Sequence, residues 1–156
     1  MPPLQTGILI GLSAAEAAAV AALGTSTVLP AGQVLFELGA AADRVYQVTR
    51  GCINLTLPMQ IRGENRDVLV EERTAGETLG WSGLVPPHRF TLKATATAET
   101  ELVAFPRAAL LEHFAANPTV GATVIRYVAS VIGHRLQIFQ AMWLREMQRS
   151  VDLHYS

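Results

Sequence analysis

Cysteine is almost absent from this chain of 156 residues: Cys52 stands alone, so no intramolecular disulfide can form and a thiolate metal site lacks its second ligand. That usage fits a reducing cytoplasm. Charge is scarce as well, with 16% of residues charged and a net charge of −1, so no global basic field draws the chain to nucleic acid or to an anionic membrane. No uncharged apolar run approaches the roughly 18 residues a membrane helix needs. The apolar stretch from Met1 to Leu23 has no Lys or Arg ahead of it and holds Glu16 inside it, which argues against a secretory signal. A soluble protein without membrane contact is expected.

The constellations that carry catalysis are missing too. His88, His113, His134 and His154 form neither an H-x-H strand pair nor an H-E-x-x-H helix. Glu71 and Glu72 are adjacent, and on a strand adjacent side chains point to opposite faces. Ser82 does not sit in a G-x-S-x-G elbow, and no Walker loop occurs. The expectation is a protein that is not an enzyme and that holds no metal or resident cofactor.

Hydrophobic residues make up 50% of the chain, and the length suits one domain with a sizeable core. Ser13-Ala14-Ala15-Glu16 has capping-box spacing and starts a short helix. From Ser26 the pattern becomes brief β-rich runs split by turn residues: Ser26 to Leu29, Val34 to Phe36, Val45 to Thr49, Ile53 to Leu57, Val68 to Glu71, Phe90 to Ala96 and Leu102 to Phe105, with a polar hairpin at Arg62 to Arg66. Short strands without intervening helices imply a sandwich, roll or barrel. After Phe105 the period turns helical, with one helix over Arg107 to Ala116 and a long one opened by Asn117-Pro118.

That long helix carries two apolar stripes. Ile125, Val128, Ile132, Leu136, Phe139, Trp143 and Met147 form one; Val124, Val131, Ile138 and Met142 form the other. A helix of some thirty residues reaches ~45 Å, as far as a small domain is wide, so its surplus stripe needs a second partner. Pairing with the same helix of another copy satisfies that need, with Val131, Ile138, Met142 and Trp143 at the interface of a homodimer. The chain thus divides into an N-terminal tail over 1–12, a β-rich domain over 13–117, a dimerisation helix over 118–148 and a tail over 149–156.

Leu29-Pro30-Ala31-Gly32-Gln33-Val34-Leu35-Phe36, then Gly39, Asp43 and Val45 through Gly51, resemble the opening of cyclic-nucleotide-binding domains of the catabolite-activator (Crp/Fnr) type. Gly76-Glu77-Thr78-Leu79-Gly80 resembles the approach to that family's phosphate-binding cassette, and Thr91 to Phe105 its closing strands. The resemblance spans Ser13 to Gln148. It implies a mainly β fold with flanking helices: an eight-stranded antiparallel roll, jelly-roll-like, followed by a long C-terminal helix that dimerises and closes over the ligand. It also implies a short cassette helix whose N–H groups meet a cyclic phosphate, with a glutamate on the ribose and an arginine on the phosphate.

Laid without gaps on Gly80 to Thr91, that pattern puts Trp81 where the glutamate is expected and Phe90 where the arginine is expected. The ligand-binding set read from it is Gly80, Trp81, Ser82, Gly83, Leu84, Val85, Arg89, Phe90 and Thr91. Each charge-assisted contact contributes about 1.5–3 kcal/mol, so losing both lowers cyclic-nucleotide affinity at least a hundredfold. The expected function is therefore a stand-alone regulatory or sensor domain, ending before any helix-turn-helix unit and not binding nucleic acid by itself. Its ligand is cyclic AMP or cyclic GMP bound weakly, or another small molecule. Two alternatives share the fold: a working cyclic-nucleotide sensor that uses Arg89 and cassette N–H groups, and an interaction subunit with a filled pocket that serves an unidentified protein partner.

Overall fold

The computed structural model describes residues 6–155. Eight strands form: β1 (Thr25–Leu29), β2 (Val34–Phe36), β3 (Arg44–Arg50), β4 (Cys52–Ile61), β5 (Glu64–Thr74), β6 (Thr78–Leu79), β7 (Lys93–Ala96) and β8 (Thr100–Pro106). They assemble into two four-stranded antiparallel sheets, ordered β1-β8-β3-β6 and β2-β7-β4-β5. The expected roll is present. Its helices are α1 (Ala14–Ala21), α2 (Arg107–Ala116) and α3 (Pro118–Tyr155).

Local chemistry accounts for the joints. Ser13 and Glu16 form the reciprocal capping box that starts α1. Arg62 and Gly63 both take positive φ, 52° and 78°, which is the two-residue turn that matches strand twist, so β4 and β5 stay paired up to Ile61 and Glu64. Both strands therefore outrun the shorter runs expected from Ile53 to Leu57 and Val68 to Glu71. The strand expected from Phe90 begins only at Lys93, because Phe90 exchanges backbone hydrogen bonds with Gly39 and Ala40 instead of extending β7.

Strand alternation sorts the apolar residues into two cores. Inward-facing Val48, Leu102, Ile53, Leu55, Phe36 and Phe90 fill the space between the sheets. Val45 and Phe105 face outward from the first sheet and meet Val20, Leu110, Phe114, Val124 and Val128 of the three helices. Residues 6–12 are not a tail: Gly7–Leu9 form a 3-10 turn, and Ile8, Leu9 and Leu12 are buried in the helix-side core, where apolar side chains gain most. Residues 1–5 and 156 lie outside the described residues.

The C-terminal tail expected over 149–156 is likewise helical as far as Tyr155. Nothing between Arg149 and Tyr155 breaks a helix, and Gln148 and Asp152 are hydrogen bonded one turn apart. The 38 residues of α3 extend ~57 Å. Val120, Val124 and Val128 are buried, Ile132 and Phe139 pack against the two cores, and every described residue from Gln140 onward is exposed. Leu136, on the first expected stripe, points to solvent and is 67% exposed.

Candidate functional site

The cassette begins at Gly80, whose φ of +78° lies in the left-handed region, and a Cβ there would stand 3.3 Å from both the Arg44 carbonyl and the Phe90 ring. Conformation and space both call for glycine. A single 3-10 turn, Trp81–Leu84, follows, and the Gly83 N–H is already committed to the Gly80 carbonyl at 3.0 Å. Gly83 packs on β3, where a Cβ would meet Val45 at 2.9 Å.

Phe90 fills the roll interior. It is 6% exposed and lies flat on Phe36, centroids 3.7 Å apart and planes 7° from parallel, with Tyr46 beyond Phe36 at 6.1 Å. The residual cavity, lined by Gly80, Trp81, Ser82, Phe90, Thr91, Phe36, Leu55, Leu92 and Arg135, measures about 10 Å³. That is room for about one water. Five of the expected ligand residues therefore converge on one cavity, while Gly83, Leu84, Val85 and Arg89 do not line it.

Arg89 points the other way. Its backbone bridges Ala41, and its guanidinium donates to the Gly39 carbonyl at 2.9 Å on the exposed face. Alternation between Arg89 and Phe90 decides this, since Phe90 takes the inward position. The His88 ring sits 3.2 Å from the Ser82 carbonyl and ties the loop to the cassette turn.

Sequence reasoning missed the charged group that does reach the cavity, Arg135 of α3. It is 7% exposed, and its Nε donates to Glu71 Oε1 at 2.6 Å. Arg73 grips the other carboxylate oxygen at 2.6 Å and reaches Glu77 at 3.2 Å. Burial pulls the Arg135 guanidinium below its usual range, and the bond to Glu71 opposes that shift. One signal was visible: Arg135 lies seven residues after Val128 on the buried side of α3, a place where an unpaired charge is costly. Of the expected dimer residues, Val131 and Ile138 are half-buried, and Met142 and Trp143 stand on the projecting half of the helix.

The cyclic nucleotide-binding domain family matches residues 26–117. No curated protein matches the chain. Among solved structures, it is similar to the N-terminal domain of a transcriptional regulator from Streptomyces coelicolor A3(2), with 25% identity, a TM-score of 0.69, and coverage of 83% of this chain and 88% of that one. It shares its fold with the catabolite activator protein of Thermus thermophilus at 24% identity and a TM-score of 0.62, over 95% of this chain and 62% of that chain. The c-di-GMP-responsive global regulator CLP of Xanthomonas campestris has the same fold at 16% identity and a TM-score of 0.72, over 85% of this chain and 64% of that chain.

Proposed function

Because the chain belongs to the cyclic nucleotide-binding domain family, we propose that it is a cytoplasmic regulatory domain whose cassette is closed to cyclic AMP and cyclic GMP and whose output is the position of α3. The observation that carries this is Phe90, stacked on Phe36 inside the roll and leaving a void of about 10 Å³. Typical small-molecule sites are roughly 300–1,000 Å³. Trp81 and Phe90 supply flat apolar surface and no charge, and Arg135, the charged group in the cavity wall, is held by Glu71, so the ribose and phosphate of a nucleotide would be stripped of water without compensation.

Arg135 lines that void and is bonded to Glu71, so the cassette wall and α3 share one side chain. Repacking around Trp81 or Phe90 reaches the helix directly, and whatever binds α3 acts back on the cassette by the same coupling. The projecting half of α3 presents Met142, Trp143, Met147 and Val151 to solvent, a surface suited to a second copy of the chain.

Thermal unfolding with millimolar cyclic AMP, cyclic GMP and 5′-AMP tests the closed cassette. A ligand at a hundred times its Kd adds ~2.7 kcal/mol, which for a chain of this size is roughly 5–10 °C. The expected result is no difference among the three nucleotides. A rise of that size for a cyclic nucleotide alone would overturn the proposal.

A further inference from the structure

In a two-sheet roll every second residue of a strand faces the other sheet and is normally apolar. Register identifies those residues in the first sheet: Thr25 pairs with Ala104 and Thr27 with Leu102, and on the other side of β8 Tyr46 pairs with Ala104 and Val48 with Leu102. Of the inward positions, Leu29, Val48 and Leu102 are buried. The remaining inward positions are Thr25, Thr27, Arg44, Tyr46 and Ala104: Tyr46 and Ala104 still pack on the core, whereas Thr25, Thr27 and Arg44 are exposed. Over the exposed residues of this set lies an open cleft of about 470 Å³, backed by the core at Leu29 and Tyr46 and bounded by β1 and by the β2 side of the roll through Gln33 and Leu35.

The lining of this cleft has a definite chemistry. Arg44 is the one charged side chain among the described residues that line it; the neighbouring Asp43 acts on Tyr46 from outside the lining. Thr25 and Thr27 offer hydroxyls, Gln33 an amide, and Tyr46, only 7% exposed, a phenol on the cleft wall. Burial raises the Tyr46 pKa and Arg44 beside it draws it back, so the phenol is protonated at neutral pH and able to donate. Leu29 and Leu35 give an apolar floor. The volume falls inside the ordinary range for small-molecule sites. None of these residues lines the cassette cavity, although Arg44 and Tyr46 lie beside Gly80, so ligand binding in the cleft is tested separately from nucleotide binding in the cassette.

We propose that this cleft binds a hydroxylated anion of monosaccharide size, a sugar phosphate or a sugar acid, with Arg44 on the anionic group and Thr25, Thr27 and Gln33 on the hydroxyls. A single cation with several neutral hydrogen-bonding groups selects one negative charge on a polar body, and the planar fork of Arg donates paired N–H bonds to a carboxylate or phosphate.

The test is thermal unfolding of the full chain with glucose 6-phosphate, glucuronate, glucose and inorganic phosphate, each at millimolar concentration. Supporting the proposal would be a rise of roughly 5 °C or more at a hundredfold excess over Kd, with glucose 6-phosphate or glucuronate only. Which of the two acts separates the phosphate source from the carboxylate source. Arg44→Gln and Thr27→Val, both at open positions that leave the core intact, should each weaken that binding at least tenfold. An equal rise with inorganic phosphate, no rise with either sugar anion, or an undiminished rise in either variant would overturn it.

Discussion

Phe90 has the place, and Arg135 the charge, of one cassette arginine in the pattern the sequence resembles. Phe90 takes the inward position and fills it with a ring, while the cation arrives from α3 and is held by Glu71 rather than left free for a ligand. The pairing of Glu71 with two arginines is a buried charge cluster whose members depend on each other. Removing one partner of such a pair costs about 3–5 kcal/mol. Arg135→Met keeps most of the bulk and leaves Glu71 its bond to Arg73, so its cost in urea unfolding falls at the lower end of that range. Glu71→Gln costs more, because it leaves two guanidinium groups facing one another. A loss below about 1 kcal/mol in Arg135→Met would show that the helix is not anchored through this bond.

At the scale of elements, legibility followed the range of the interactions. The capping box at Ser13, the turn at Arg62-Gly63 and the break at Asn117-Pro118 are local, and each is visible in a few adjacent residues. The burial of Ile8 and Leu9, the pairing of Phe90 with the Gly39–Ala40 backbone, and the bond of Arg135 to Glu71 across 64 residues depend on how distant segments meet. The end of α3 at Tyr155 is unmarked in the sequence for a different reason. Its last turns bury nothing in the single chain, and helix-compatible residues alone carry it to Tyr155. Isolated helical segments of that length are marginal in water. A second copy packed along Ile138, Met142 and Trp143 removes the difficulty. Sedimentation equilibrium should therefore find a dimer, with Ile138→Arg shifting it to monomer and Trp143→Ala weakening it by about 3–5 kcal/mol if the ring is buried there. A monomeric wild type at micromolar concentration contradicts this account of α3.

Across the whole molecule the two cores, the cassette and the long helix form one connected body. The aromatic row Tyr46, Phe36 and Phe90 crosses the roll from the open cleft to the cassette, where Phe90 and Arg135 of α3 line the same cavity. Five of the nine residues expected to hold a ligand do share a cavity, yet its volume could not be read from the sequence. Cavity volume is set by which side of a strand each side chain takes, and one residue of register exchanges Arg89 for Phe90. The central claim is that the cassette is closed, and amide NMR spectra recorded during titration with cyclic AMP and then cyclic GMP test it at the residues concerned. The account predicts that the resonances of Gly80, Ser82, Gly83 and the Arg135 region stay in place at millimolar nucleotide. Saturable shifts concentrated on those residues would contradict it.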